Sequence, residues 1–230
     1  MNQIFPTKAI DRIDPIAFDL DTGSALTRNF MCKPTLAYTI GDSRYLNITD
    51  RCTLRCGFCP KHCAGPRVQA FDLTLAQRPS VNEVIRAIGN VADYRECVFC
   101  GFGEPTLRLK ALIEIATHIK ANAGSVRVNS DGLANLVHKR NVLPELAGCV
   151  DALSVSMNTH TEALYERHCR PAVAGSYPAM LEFLRQAPRH IAAVSASAID
   201  GLDGVDIEAC RALAEQRGVH FKRRVLDVVG

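Results

Sequence analysis

The sequence predicts an α/β fold with a parallel β-sheet and helices packed outside it. From residue 96 onward, short apolar runs alternate with stretches whose apolar residues recur at helical spacing. The run Glu96–Gly101, for example, precedes a helical pattern over Leu107–Asn122. Alternation of this kind is typical of strand–helix–strand units and parallel sheets. About six strands fit the chain, too few for a closed eight-unit barrel.

The predicted elements begin with an irregular extension over residues 1–34, and residues 35–230 form one domain. A β-hairpin with a Gly41-Asp42-Ser43 turn opens the domain. A long surface loop and a helix follow, and Ser80 and Glu83 form a predicted capping box within that helical pattern. The ranges are hairpin 35–49, loop 60–73, helix 74–90, strand 96–101, helix 107–122, strand 125–129, helical stretch 136–146 interrupted at Pro144, strand 150–156, helices 162–169 and 177–186, strand 191–198, helix 207–217 and strand 220–226.

Composition places the protein among ordinary soluble globular proteins. The 230 residues are 47% hydrophobic and 22% charged, and the net charge of +3 is too small to argue for nucleic-acid binding. The basic group Lys222-Arg223-Arg224 is predicted to be solvated charge at a strand end. Residues 1–20 lack the apolar core of a signal peptide, and no run is long enough to span a bilayer. We therefore expect a cytoplasmic protein whose ten cysteines are metal ligands or free thiols.

Three cysteines stand close together directly after the hairpin. Cys52, Cys56 and Cys59 have the spacing Cys-x3-Cys-x2-Cys. Three thiolates in one loop can bind three irons of a [4Fe–4S] cluster and leave the fourth iron open, as a catalytic cluster requires. Zinc usually takes four ligands in paired spacings, and no second pair suits that pattern. A set of buried structural cysteines is the other alternative, although three rarely cluster in one loop.

Polar residues follow or line the later strands. Gly103-Glu104-Pro105 follows the strand at 96–101, and Asn129, Ser130 and Asp131 end the next one. Ser154, Ser156 and Asn158 have the same parity along their strand and so share one face. Such a polar stripe is poor core material unless it lines a polar cavity. Cys169 lies in a polar stretch after this strand, where inert packing is the commoner role of a lone cysteine.

The cysteine spacing, with Phe58 just before the third cysteine, resembles the signature of the radical S-adenosylmethionine (radical SAM) enzymes. The segment Gly101–Pro105 is similar to their Gly-Gly-Glu-Pro motif, with Phe102 in place of the first glycine. The resemblance implies an incomplete (β/α)6 TIM-like barrel, a [4Fe–4S] cluster on the three cysteines, and reductive cleavage of S-adenosylmethionine to a 5′-deoxyadenosyl radical. It also implies a reductant such as flavodoxin or ferredoxin.

The same resemblance implies cofactor-binding roles for residues at the strand ends, whereas a turn or ordinary packing remains the alternative at several of them. They are Phe58, Gly103, Glu104, Pro105, Asn129, Ser130, Asp131, Ser154, Ser156 and Asn158. Glu104 is expected to offer its carboxylate to the ammonium group of the cofactor. Cys169 is a candidate catalytic residue, as a hydrogen-atom donor or a substrate-binding thiol.

A longer resemblance, over about residues 35–230, is to radical SAM proteins associated with TatD-family nucleases. It rests on segments such as Leu46–Cys52, Phe99–Leu107 and Cys169–Pro171. This resemblance implies a functional link to a TatD-type nuclease and leaves the substrate unknown. The short barrel would leave an open side, which suits a large substrate such as a protein. Two alternatives stay open: a glycyl-radical-enzyme-activating protein, and a non-catalytic iron–sulfur sensor or nuclease partner.

Overall fold

The computed structural model describes residues 34–63 and 65–226. Residues 1–33 of the predicted N-terminal extension lie outside this part of the chain. In chain order the elements are β1 (Ala37–Ile40), β2 (Ser43–Leu46), α1 (Pro60–Cys63), β3 (Arg67–Val68), β4 (Phe71–Asp72), α2 (Val81–Ile88), β5 (Glu96–Phe99), α3 (Leu109–Ala121), β6 (Val126–Ser130), α4 (Ala134–His138), α5 (Leu143–Ala147), β7 (Ala152–Asn158), α6 (Glu162–Cys169), α7 (Ser176–Gln186), β8 (Ala193–Asp200), α8 (Ile207–Glu215) and β9 (His220–Val225). Short 3-10 turns cover Val91–Asp93, Pro105–Arg108 and Ala187–Arg189.

A seven-stranded sheet organises the fold, with the strand order β1-β2-β5-β6-β7-β8-β9. The hairpin strands β1 and β2 pair antiparallel, and every later pair in the sheet is parallel. The predicted α/β class and hairpin are therefore confirmed. Because each new parallel strand is added beside the preceding one, the carboxyl ends of six strands meet at one edge of the sheet.

The two faces of the sheet differ in chemistry. Val126, Val128 and Val155 are fully buried on the outer face, where they belong to the same apolar core as helix residues such as Leu112 and Ile119. The inner face is more polar, and several of its side chains, such as Arg127, Asn129 and Ser154, are only partly covered. The outer face therefore holds the fold together, and the inner face is left for function. None of the helices in the described ranges has both the length and the apolar composition needed to cross a membrane.

Several element boundaries differ from the predictions for physical reasons. The expected loop over residues 60–73 contains the single helical turn α1 and the small hairpin β3–β4. Helix α2 begins only at Val81, because Ser80 caps it and closes the predicted capping box with Glu83. The stretch 136–146 is two short helices, and Pro144 lies in the first turn of α5, where proline is favoured.

Candidate active site

The cysteine loop follows β2 at the carboxyl edge of the sheet, as predicted. Cys52, Cys56 and Cys59 all line one cavity of about 390 Å³, and Phe102 contributes to the same wall. Phe58, between the last two cysteines, is partly buried against the hydrophobic core. The structure thus brings the three predicted metal ligands to one cavity, beside the segment that follows β5.

The end of α6 and the segment after it hold one side of the cysteine loop. Leu54 forms an antiparallel bridge with Pro171, and the Gly57 amide donates to the His168 carbonyl at 2.9 Å. The Arg55 amide donates to the carbonyl of Cys169 at 3.0 Å. This pairing fixes the backbone conformation of the loop.

Cys169 itself lies behind the loop. Its side chain is fully buried, hydrogen-bonds with the Cys56 thiol and lies 3.5 Å from the Asn158 amide nitrogen. It is therefore next to a predicted cluster ligand. Its predicted role as a catalytic residue stays a prediction.

The segment after β5 holds the other side of the loop through very close backbone contact. The Glu104 amide donates to the Arg51 carbonyl at 2.7 Å. A Cβ atom placed on Gly103 would lie 2.3 Å from the Thr49 carbonyl oxygen and 2.6 Å from that of Arg51. Only glycine fits here, because the cysteine loop occupies the space of a side chain. The backbone of Gly103 therefore lies very close to the cysteine loop. A contact between Gly103 and a cofactor stays a prediction.

The Glu104 carboxylate is buried and accepts four hydrogen bonds. Its Oε1 accepts from the Thr106 amide at 3.0 Å, the Thr106 hydroxyl at 2.6 Å and the Ser130 hydroxyl at 3.0 Å. Its Oε2 accepts from the Asp131 amide at 2.7 Å. Glu104 therefore joins the end of β5 to the turn after β6. Burial, followed by the nearby charge of Asp131, raises the pKa of Glu104, so a cation bound beside it would favour its ionised form.

Asp131 extends this network to the cysteine loop. Its Oδ1 accepts from the Leu133 amide at 2.9 Å, and its Oδ2 accepts from the Thr53 hydroxyl. Asp131 is 5% exposed, and burial raises the pKa of its carboxyl. In this arrangement Glu104, Ser130 and Asp131 use their side chains within the protein to position the loop.

Other predicted cofactor-binding residues face the inner side of the sheet. The Asn129 Oδ1 accepts from Arg127 Nη1 at 2.8 Å, and the Asn129 side chain also hydrogen-bonds with the Cys100 thiol. Ser154 and Ser156 are partly exposed on the same face of β7. All three side chains are partly exposed, and for Ser154 and Ser156 this agrees with the shared face that their parity predicted.

Asn158 departs from this regular stripe. The register of β7 with β8 shifts between Ser156 and Asn158, and Asn158 has a positive φ of 65°. Its side chain is 2% exposed and is enclosed by Cys169 and Arg224. Asn158 thus links the region behind the cysteine loop to the last strand.

Two residues of the site were missed or misjudged from the sequence. Thr53 is the link between the cysteine loop and Asp131. Arg224 was expected to be solvated, but its Nη2 donates to Asn158 Oδ1 at 2.6 Å and its Nε is buried. That expectation was wrong because a basic run on a strand places alternate side chains on opposite faces. Arg223 is on the outer side with Asp200, and Arg224 points inward.

The surroundings of Cys52 and Cys56 favour the protonated form of both thiols. Desolvation by the cavity walls, followed by the charge of Asp131, raises the pKa of Cys52 to about 12. The hydrogen bond with Cys169, followed by burial, raises the pKa of Cys56 above its usual value. Metal binding to such thiols would release protons. Within the described residues, no three His, Cys, Asp or Glu side chains converge closely enough to hold a single metal ion.

Comparison with known families decides the class of the protein. Residues 46–216 match the family described as "Radical SAM superfamily". The chain belongs to the radical SAM superfamily. This superfamily uses a [4Fe–4S] cluster and S-adenosylmethionine, and its members are generally enzymes. The thiols of Cys52, Cys56 and Cys59, which line one cavity, are the donor set that such a cluster needs. A fourth cysteine is not required.

Solved structures share the fold of this radical SAM protein at low sequence identity. TYW1 with a lysine–pyruvate adduct has a TM-score of 0.58 and 15% identity, over 82% of this chain and 66% of that chain. Streptococcus suis SuiB bound to S-adenosylmethionine has a TM-score of 0.58 and 12% identity, over 80% of this chain and 38% of that chain. Methylornithine synthase (PylB) has a TM-score of 0.51 and 13% identity, over 80% of this chain and 53% of that chain.

The chain therefore spans between 38% and 66% of the length of these three structures. Similarity at this level shows the fold alone. No curated protein matches the sequence significantly.

Proposed function

We propose that the protein is a radical SAM enzyme in which Cys52, Cys56 and Cys59 hold one [4Fe–4S] cluster. The observation that carries this proposal is that the three thiols line one cavity at the carboxyl edge of the parallel sheet, in a chain of this superfamily. Three protein ligands leave one iron open for the amino and carboxylate groups of S-adenosylmethionine. When bound, the reduced cluster supplies the electron that cleaves S-adenosylmethionine to methionine and a 5′-deoxyadenosyl radical, which abstracts hydrogen from the substrate.

The barrel architecture is the second part of the proposal. Six parallel strands, from β2 to β9, follow one another in chain order, and segments containing helices connect them. This supports an incomplete (β/α)6 barrel whose inner face and carboxyl edge surround the cofactor.

We assign some of these residues to direct contact with the cofactor and others to positioning the cysteine loop. Asn129, Ser154 and Ser156 border open space on the inner face, so we assign them to direct polar contacts with the adenosyl group. Phe58 and the Gly103-Glu104-Pro105 segment hold the cysteine loop and shape the cavity wall. Ser130, Asp131 and Asn158 act through the hydrogen bonds that they already make. Burial of these groups keeps water away from the reacting centre.

Electron delivery would occur from the solvent side of the cysteine loop. Arg51, Arg55 and Lys61 line the cavity beside the three cysteines. This basic rim supports docking of an acidic reductant such as flavodoxin or ferredoxin, because opposite surface charges steer association. A protein substrate is a proposal that rests on the open side of a short barrel, and a functional link to a TatD-type nuclease is a proposal that rests on the sequence resemblance alone.

Anaerobic reconstitution tests the enzyme proposal. The wild-type protein should bind about four irons per chain and, once reduced with dithionite, convert S-adenosylmethionine to 5′-deoxyadenosine. Cys56→Ala should lose both cluster absorbance and product. Cys210→Ala is the matched control, because Cys210 is buried on α8 away from the cavity. A wild-type protein that holds the cluster but makes no 5′-deoxyadenosine would refute catalysis and favour a sensor role.

A further inference from the structure

The inner face of the sheet carries basic residues at its last strand. In the β8–β9 register, Ser197 lies opposite Lys222 and Ile199 lies opposite Arg224. Ser197 in turn lies opposite Ser156 of β7. Residues directly opposite each other in paired strands share a face. Lys222 and Arg224 therefore share the face of the serine stripe, and Arg223 between them is on the other side.

Arg224 is held in place but incompletely paired. One nitrogen, Nη2, donates to Asn158 Oδ1 at 2.6 Å. The Nε atom is buried and has no hydrogen-bond partner. Burial lowers the pKa of Arg224, but a guanidinium remains protonated in proteins. Because Nε is covered by protein, a ligand would have to bind on the accessible side of this partly buried guanidinium. A charge without a counter-ion is unfavourable in such a site, and an anionic ligand would supply that counter-ion.

The carboxylates around this face already have partners. Glu96 accepts from Arg127 Nη2 at 3.0 Å, and Asp200 accepts from Arg223 Nε at 2.9 Å on the opposite side of β9. Glu104 accepts hydrogen bonds from Thr106, Ser130 and Asp131. In the part of the chain that the structure describes, Arg224 has no carboxylate partner. Arg127 lies on the same inner face but differs from Arg224, because Glu96 forms an ion pair with it.

Arg224 also lies near the proposed reaction centre. Its Asn158 partner lies 3.5 Å from the Cys169 sulfur, and Cys169 hydrogen-bonds with the Cys56 thiol. The thiols of Cys56, Cys100 and Cys169 are close enough to affect the pKa of the guanidinium. A group bound by Arg224 would therefore lie at the same end of the sheet as the cysteine loop.

We propose that Arg224 binds an anionic group of the substrate, a carboxylate or a phosphate, on the inner face of the sheet, with Lys222 as a second positive charge. The guanidinium presents paired N–H donors that match the oxygens of such a group. Asn158 fixes its orientation through Nη2. This inference rests on the proposed function, because it places the substrate within reach of the radical generated at the cysteine loop.

Binding of simple anions to the reconstituted protein tests this site separately from catalysis. Inorganic phosphate and succinate serve as probes at low ionic strength, and isothermal titration calorimetry measures their affinities in the presence of S-adenosylmethionine. Arg224→Gln should weaken binding of at least one probe about tenfold or more. Arg223→Gln removes the same charge from the outer side of the same strand and should change affinity less than about twofold. Tighter binding of phosphate or of succinate would identify which anion the site prefers.

A cofactor-binding role would give a different pattern. If Arg224 held the carboxylate of S-adenosylmethionine, Arg224→Gln would weaken binding of that cofactor and leave the probes unaffected, which would overturn the proposal. Equal effects of the two variants, or no probe binding by the wild-type protein, would also overturn it. If Arg224→Gln fails to hold the cluster, Arg224→Lys replaces it in the test. Lysine keeps the charge but lacks the paired donors, so this variant should bind the probes more weakly than wild type. Failure to make 5′-deoxyadenosine would refute the proposed function while leaving the anion affinities measurable.

Discussion

Replacing Gly103 with alanine tests how closely the cysteine loop is packed on the end of β5. The new Cβ would lie 2.3 Å from the Thr49 carbonyl oxygen and 2.6 Å from the Arg51 carbonyl oxygen. Both atoms belong to backbone, so no side chain can rotate away. Carbon contacts are favourable near 3.5 Å or more, so the loop backbone would have to retreat by roughly 1 Å.

This displacement has two expected consequences. Overpacking of this kind costs about 1–3 kcal/mol, which for a chain of this size lowers the melting temperature by about 2–12 °C. The shift also moves the backbone just before Cys52 and strains the hydrogen bond from the Glu104 amide to Arg51. Gly103→Ala should therefore bind much less iron after reconstitution than the wild-type protein.

Thermal unfolding of the protein before reconstitution and iron analysis after it are the two assays. Gly148→Ala is the matched control, because its backbone φ is −71° and its added Cβ would lie at an ordinary contact distance of 3.7 Å from the Glu145 carbonyl oxygen. That variant should keep both its melting temperature and its iron content. If Gly103→Ala also kept both, the cysteine loop would not be docked on β5 as described.

Three further changes have distinct expected outcomes. Glu104→Gln places an amide donor against existing donors such as the Asp131 amide, and should lower the free energy of unfolding by about 1–3 kcal/mol, measured by denaturant titration; an unchanged midpoint would contradict the network. The hydrogen bond from Arg127 lowers the pKa of Glu96, so its stabilising effect should be present above about pH 4.3, the unfolded value, and disappear as the pH falls through the lower folded value. The difference in unfolding free energy between wild type and Glu96→Gln should therefore shrink at acid pH, and a constant difference would argue against the ion pair. Ser80→Ala removes the helix cap and should cost about 0.5–2 kcal/mol without changing iron content; loss of iron would show that α2 supports the site directly.

The fold was predictable where local pattern and tertiary structure agree. The apolar runs from residue 96 onward form parallel strands because a sheet covered by helices requires continuous apolar segments. The capping box at Ser80 formed as expected, although the helix starts later than the apolar pattern suggested. The expected loop before it contains a small hairpin whose two-residue strands are too short for any periodic signal.

The candidate site was predictable at its motifs but not at its long-range contacts. The spacing of Cys52, Cys56 and Cys59 is a local property, so the sequence alone places them in one loop. The contact of Gly103 with that loop, and the bonds of Glu104 to residues of two other segments, depend on how separate strand ends meet. Arg224 required the register of β9 against β8, because a single basic run does not show which of its side chains faces inward.

Electron paramagnetic resonance of the reduced, reconstituted protein is the most direct test of the central claim that three cysteines leave one iron open for S-adenosylmethionine. The spectrum of the reduced cluster should change when S-adenosylmethionine is added, because a new ligand binds that iron. Cys210→Ala should show the same change. An identical spectrum with and without S-adenosylmethionine, at a concentration that equilibrium dialysis shows to be saturating, would contradict the account.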